Sequence, residues 1–402
     1  MNTQSTGNIP DIKSVKELGR KISATDALIL SLIALVLCAF LPIALFYNMQ
    51  ELLLEGVSLA AIGASVLALY KIVGTKRPFI PTTITAAISF FFIGATTTAL
   101  VMSFMISICL IAHVLLFADN TASKIMCVIS PVASYLIAVV LTGGFAASAT
   151  AFVPLVAALA LSYTVNNHLH KVSAICNISA AMLIFISAIV VIRYVALHGT
   201  DLSVAKESIE AFREALTDLT AKMLMAVTDE ISEIAEISMT DATDLATVSV
   251  NSIFNLLPAI IVIIANVAAF FAHSTMMATL FSETAPSPTL RNMMLFDMSL
   301  ISAIVFLVAS LLGLIFIKAE VSVWIVTAEN VAMILMPGMI LTSIIMLRGL
   351  TAAKKGCAPS LIYFGIIFSM LYLPAIMLPL VSMAGAVTVI LNNIAKHKLL
   401  KK

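Results

Sequence analysis

Apolar runs of about 20 residues, broken by short polar stretches, make up most of the chain. They lack strand alternation. In lipid the backbone must satisfy its own hydrogen bonds, so such runs predict membrane-spanning helices. Two runs between Asp26 and Lys71, "ALILSLIALVLCAFLPIALF" and "LLLEGVSLAAIGASVLALY", predict a helical hairpin turning near Glu51. The uncharged length from Arg77 to Asp119 suits two limbs bent at "GATTT". Its first limb, "PFIPTTITAAISFFFIG", is short enough for a re-entrant segment as well as a full span, with Pro78 and Pro81 at its start. Lys124 to Lys171 repeats the arrangement around "TGGFAAS", and "VSAICNISAAMLIFISAIVVI" follows as a single run. After a polar stretch come a run from Asn251, a proline-marked loop "SETAPSPTLRN", runs over Met294–Ile317 and Trp324–Leu347, and a last pair broken by Pro374 and Pro379.

The pattern predicts an all-α polytopic bundle of about 12 helical segments, some short or re-entrant, with an external amphipathic helical insertion. A polar tail covers 1–25, an N-terminal transmembrane bundle 26–196, the acidic amphipathic segment 197–249, a C-terminal transmembrane bundle 250–395 and a basic tail 396–402.

Composition sharpens this into an integral membrane protein. With 61% hydrophobic and 11% charged residues and a mean hydropathy of +1.11, the chain lies far from the soluble average of roughly half apolar and a quarter charged. A net charge of +1 gives no ground for a nucleic-acid partner. The cysteines, Cys38, Cys109, Cys127, Cys176 and Cys357, stand singly in or beside apolar runs, as packing residues do. No cleavage pattern follows the first apolar run, so the amino terminus is expected to be retained.

Charge then orients the bundle. With the amino terminus taken as cytoplasmic, only Arg193, Lys206, Arg213, Lys222 and Lys318 of the 22 lysines and arginines fall outside. Basic loops are retained in the cytoplasm, so both termini are expected inside a bacterial cytoplasmic membrane. About half of the 21 acids lie in 201–249, on the outer face. Within that stretch Ile209, Phe212, Leu216, Leu219 and Met223 recur at three- and four-residue steps. This predicts an amphipathic helix or helical pair whose apolar face packs on the bundle, lies in the outer interface, or meets another copy.

Ionisable groups inside spanning helices are costly and often functional. Glu329 and Asn330 lie in "WIVTAENVAMILMPGMIL", within about two turns of its external end, where Trp324 suits an interfacial anchor. Pro337 and Gly338, deeper in the same run, are expected to loosen it. Glu329, Asn330 and Asn266 form the candidate solute-binding set. His113, Asn177, Asn255 and His273 read as interhelical hydrogen-bonding groups, and Asp297 as a wetted boundary residue. Ala60, Ala64 and Ala68 make a small-residue ridge fit for helix packing or a partner subunit. No phosphate loop, paired histidine motif or nucleophile elbow is present, so neither an enzyme nor a metal or cofactor is expected.

In the last third, "LLPAIIVIIANVAAFFAH", the loop after it, "AENVAMILMPGMILTSIIMLRGLTAAKKG" and the terminal proline-broken pair occur in an order that resembles the YybS-like family of bacterial multi-pass membrane proteins. Asn266, Asn330, Arg348-Gly349-Leu350 and Lys354-Lys355-Gly356 match that family's usual polar and basic positions. The resemblance covers about 150 residues well, and the earlier part by hydropathy alone. It implies a distant similarity to the substrate-binding subunits of energy-coupling-factor vitamin transporters, in which alanine ridges such as 60, 64 and 68 meet a transmembrane partner. The expected function is transport-related binding of a small solute within the bundle. The alternative is a non-transporting scaffold in a cell-envelope or cell-wall assembly.

Overall fold

The computed structural model describes residues 21–46, 63, 95–142, 144, 148–230, 239–280, 295–315, 323–352, 365–366, 368–370 and 372–400. Ten α-helices and one 3₁₀ turn make up the described elements. They are α1 (Ala24–Phe46), α2 (Ala95–Phe117), α3 (Thr121–Thr142), the 3₁₀ turn (Ala149–Phe152), α4 (Val153–Asn166) and α5 (Lys171–His198). After them come α6 (Ser203–Glu230), α7 (Met239–Leu280), α8 (Leu300–Ile315), α9 (Val323–Ala352) and α10 (Pro374–Leu400). No strand occurs among the described residues, so the all-α expectation holds. Six stretches are long and apolar enough to cross a membrane, beginning at Thr121, Ala149, Lys171, Thr240, Val323 and Ile376. The chain is therefore a membrane-embedded helical protein. The ridge Ala60, Ala64 and Ala68 and the limb 78–94 lie outside the described residues, and the expected count of about 12 segments is not reached among those described.

The helices divide into two compact units, Met1–Arg193 with Ile264–Phe296, and Tyr194–Ile263 with Asp297–Lys402. In the first, α1 packs on α2 and α3, and α2 on α4. Leu30 and Leu37 of α1, Ile108 and Ile111 of α2 and Leu161 of α4 are fully buried in one core with Ile178 of α5 and Met276 of α7. Ser23 opens α1 by accepting the Asp26 N–H at 3.1 Å, an N-cap that satisfies one otherwise orphaned donor. The Ile22 N–H donates to the Phe117 carbonyl at 3.2 Å, which puts the start of α1 beside the end of α2. Cys38, Cys109 and Cys127 are free and buried, and Cys176 is free and exposed.

In the second unit α9 packs on α8 and α10, and α8 on α10. The α9/α10 crossing is close because Gly385 has no side chain. An added β-carbon there would overlap the Met339 backbone, with its carbonyl carbon at 2.8 Å. Pro374 is the first residue of α10, where a missing N–H costs nothing, and Pro379 lies inside it. Thus Pro374 starts the last helix, while only Pro379 interrupts its ladder. α9 runs unbroken through Pro337, and Gly338 seats the Met298 side chain.

α5 ends at Gly199, whose φ of +65° is the left-handed conformation that glycine adopts without strain. The Tyr194 hydroxyl donates to the Asp201 carbonyl and accepts the Ala205 N–H at 3.2 Å, fastening the turn into α6. The Ser203 N–H, and then its hydroxyl, hold the Asp201 carboxyl below its ordinary value. α6 covers part of the stretch expected to be amphipathic, and its Arg213 guanidinium lies 5.0 Å from the centre of the Phe254 ring of α7. Its less exposed side is Leu216, Thr217, Thr220, Ala221, Leu224 and Met225, which takes in only Leu216 of the apolar stripe. Ile209, Phe212, Leu219 and Met223 therefore stay at least half exposed, at 51%, 62%, 50% and 60%.

α7 has 42 residues, about 63 Å at 1.5 Å per residue, roughly twice a hydrocarbon thickness. It passes residue 250 without a break, although composition turns there from acidic to apolar. Backbone hydrogen bonding is indifferent to that change, and no proline or glycine intervenes between Met239 and Pro258.

Candidate functional site

Four helices of the second unit line an open cavity of about 570 Å³, well within the usual range for small-molecule sites. α9 contributes Ile325, Glu329, Ala332 and Met336 at helical spacing, a single face, together with Val326 and Met333. α7 adds Ser252, Asn255 and Leu256, α8 adds Phe306, Ala309, Ser310 and Gly313, and α10 adds Pro379, Ser382 and Met383. Each helix thus lends at least one small or hydroxyl-bearing residue to a wall whose other polar groups are Glu329 and Asn255. Trp324, 83% exposed at the start of α9, stands about 8 Å along the axis from Glu329.

Glu329 is the one ionisable group among the described lining residues. No described side chain pairs with its carboxylate. Gly313 makes room for it: a β-carbon at position 313 would come to rest 3.7 Å from the Glu329 Cγ. Two of the lining hydroxyls are turned to their own helices. Ser252 donates to the Val248 carbonyl at 2.9 Å and Ser382 to the Pro379 carbonyl at 2.8 Å. Carbonyl oxygens only accept, so both hydroxyl hydrogens are committed and each oxygen keeps acceptor capacity.

Asn330, next to Glu329, is turned away from the cavity. Its Oδ1 accepts the Ala259 N–H at 3.0 Å, and its Nδ2 donates to the Asn255 carbonyl at 2.8 Å and to the Val326 carbonyl at 2.8 Å. In an unbroken helix the groups at 259 and 255 would bond each other. Pro258 lies between them, and its ring forces the preceding turn open. The carboxamide of Asn330 fills that opening, so both of its amide hydrogens are used within the protein. Asn330 is thus a positioning residue that holds α9 against the broken turn of α7. Asn266 belongs to the other compact unit, half-buried on α7, and is not among the lining residues. Of the three candidate residues, only Glu329 faces the cavity.

The sequence does not single out Ser252, Ser310, Ser382 or Gly313. Their signal is weak, since serine and glycine are common in spanning helices; only a shared face with a carboxylate-bearing helix marks them. Of the other polar residues that the sequence marks, Asn255 also lines the cavity, while His113 is buried on α2 with Nδ1 donating to the Cys109 carbonyl at 2.8 Å, and His273 is buried on α7. Among the described residues no group of three histidine, cysteine or acidic side chains is arranged to hold a metal ion.

The fold and the cavity define a membrane-embedded all-helical protein with a carboxylate on the wall of an open cavity. No family model, curated protein or solved structure matches the chain.

Proposed function

We propose that this is a transport-related multi-pass protein of a bacterial cytoplasmic membrane, YybS-like in its last third, which binds a small solute in the cavity beside Glu329. The carrying observation is a carboxylate without a described partner on the wall of a cavity of about 570 Å³ between four apolar helices. Ionisable groups in spanning helices are expensive to keep and mark solute or ion pathways. Pro258, Pro337 and Pro379 lie inside three of the helices that line this cavity, and each removes one backbone N–H from its ladder without ending the helix.

The test is to fill the cavity from its small side. Gly313→Leu is expected to lower solute-dependent thermal stabilisation of the purified protein across a metabolite panel at least tenfold in midpoint concentration, while Gly313→Ala stays near the parent. A panel that stabilises the parent and the leucine variant equally would exclude the cavity as the binding place.

The alternative, a non-transporting envelope scaffold, draws on the exposed stripe Ile209, Phe212, Leu219 and Met223. Exposed apolar surface of this kind marks interaction sites. Phe212→Ser with Leu219→Ser is then expected to strip crosslinked partners from the protein in membranes, leaving its abundance unchanged.

A further inference from the structure

We infer that the solute is a small organic ammonium ion, with one to three N–H donors on an apolar body. This rests on the solute-binding reading of the Glu329 cavity and specifies the chemistry of that site. The polar groups on the wall whose bonding is defined all present acceptors. Glu329 brings a carboxylate, and Ser252 and Ser382 bring oxygens whose hydrogens are already given to the Val248 and Pro379 carbonyls. The Asn330 carboxamide, behind the wall, has spent both of its amide hydrogens on the Asn255 and Val326 carbonyls, and the Asn255 carboxamide on the wall carries an acceptor oxygen beside its N–H donors.

A carboxylate or phosphate entering this cavity would face the Glu329 charge with no described cation to offset it. A neutral solute would leave the Glu329 charge without a partner. An ammonium group settles both, because its N–H donors match the acceptors and its charge pairs with Glu329 in a charge-assisted bond. A hard metal ion takes six or more oxygens and fits a wall with one carboxylate poorly. The remainder of the wall suits the body of an amine: Phe306, Met333, Met336 and Met383 give polarisable surface of adaptable shape, favourable to the methylenes and rings beside a cationic nitrogen.

Equilibrium binding to the full chain in zwitterionic lipid nanodiscs, with phenylbutylamine, phenylbutanol and phenylbutyrate as matched probes, tests this. The amine is expected to bind at least tenfold more tightly than the alcohol, with the butyrate weakest. Glu329→Gln should bring amine and alcohol within about twofold of each other, and Glu329→Asp should keep the amine preferred. If amine and alcohol bind the parent alike and Gly313→Leu weakens both, the cavity takes solutes without regard to charge and the ammonium assignment falls alone. If none of the three probes binds the parent saturably, the assignment falls together with the solute-binding reading.

Discussion

Asn330 carries more of the local structure than its neighbour Glu329. Its carboxamide meets three backbone groups, two of them across the interface on α7, where Pro258 has opened the helix. Hydrogen bonds between membrane helices average about 0.6 kcal/mol and reach about 1.7. Asn330 serves two backbone groups beside Pro258, so Asn330→Ala is expected to cost about 1–2 kcal/mol in a reversible unfolding titration. In a Pro258→Ala background the turn can close on itself, and the same substitution should then cost less than about 0.5 kcal/mol. An equal cost in both backgrounds would mean that Asn330 does not compensate the proline. The sequence shows both residues but not their pairing. Asn330 stands out because a carboxamide in an apolar run is unusual, and Pro258 because it punctuates a helix, yet 71 residues separate Asn330 from the Ala259 N–H it satisfies. Local pattern carries no information over such a distance. Glu329 is legible for the opposite reason: a carboxylate in an apolar run is costly whatever surrounds it. Ser252 and Ser382 are not legible, because a serine that hydrogen-bonds its own helix resembles any other serine in a membrane segment.

At the scale of elements, apolar runs predict the existence of helices well and their ends poorly. The run expected from Met294 becomes α8 only at Leu300, because Ser299 accepts the Ser302 N–H at 3.0 Å and caps the helix there. A composition change near 250 suggests a boundary, and α7 passes straight through it. Crossings between helices are less legible still. "SMAGAV" gives no sign that Gly385 meets the Met339 backbone while Gly365 has nothing within 4 Å of its missing side chain. The crossing makes a direct prediction. Gly385→Ala must push α9 from α10, since the obstacle is main chain and cannot rotate aside, and overpacking of this kind costs about 1–3 kcal/mol. Gly338→Ala meets only the flexible end of Met298, Cε and Sδ at 2.9 Å, and should cost less. Thermal unfolding in one detergent compares the pair. A milder effect at 385 than at 338 would contradict the close crossing.

For the whole molecule, orientation is the property the sequence addresses most directly and the one that decides which side the Glu329 cavity serves. The Ile22–Phe117 hydrogen bond and the Lys21–Asp119 ion pair at 3.3 Å bring the start of α1 and the end of α2 to one end of the first unit. Lys124, in the first turn of α3, follows directly after. This is the sharing of an end that charge sorting requires of those segments. Only Arg193, Lys206, Arg213, Lys222 and Lys318 fall on the opposite side of the sorted map, and three of these five lie in α6 among its acids. Carrying a charge across a membrane held at 100 mV involves about 2.3 kcal/mol, so inverting the chain would move most of its lysines and arginines the unfavourable way. A fluorescent protein fused after Lys402 is therefore expected to fold and fluoresce in cells, and alkaline phosphatase inserted between α6 and α7 to be active outside. The reverse pair of results would place α6 in the cytoplasm and move Trp324 and the nearby carboxylate to the inner boundary.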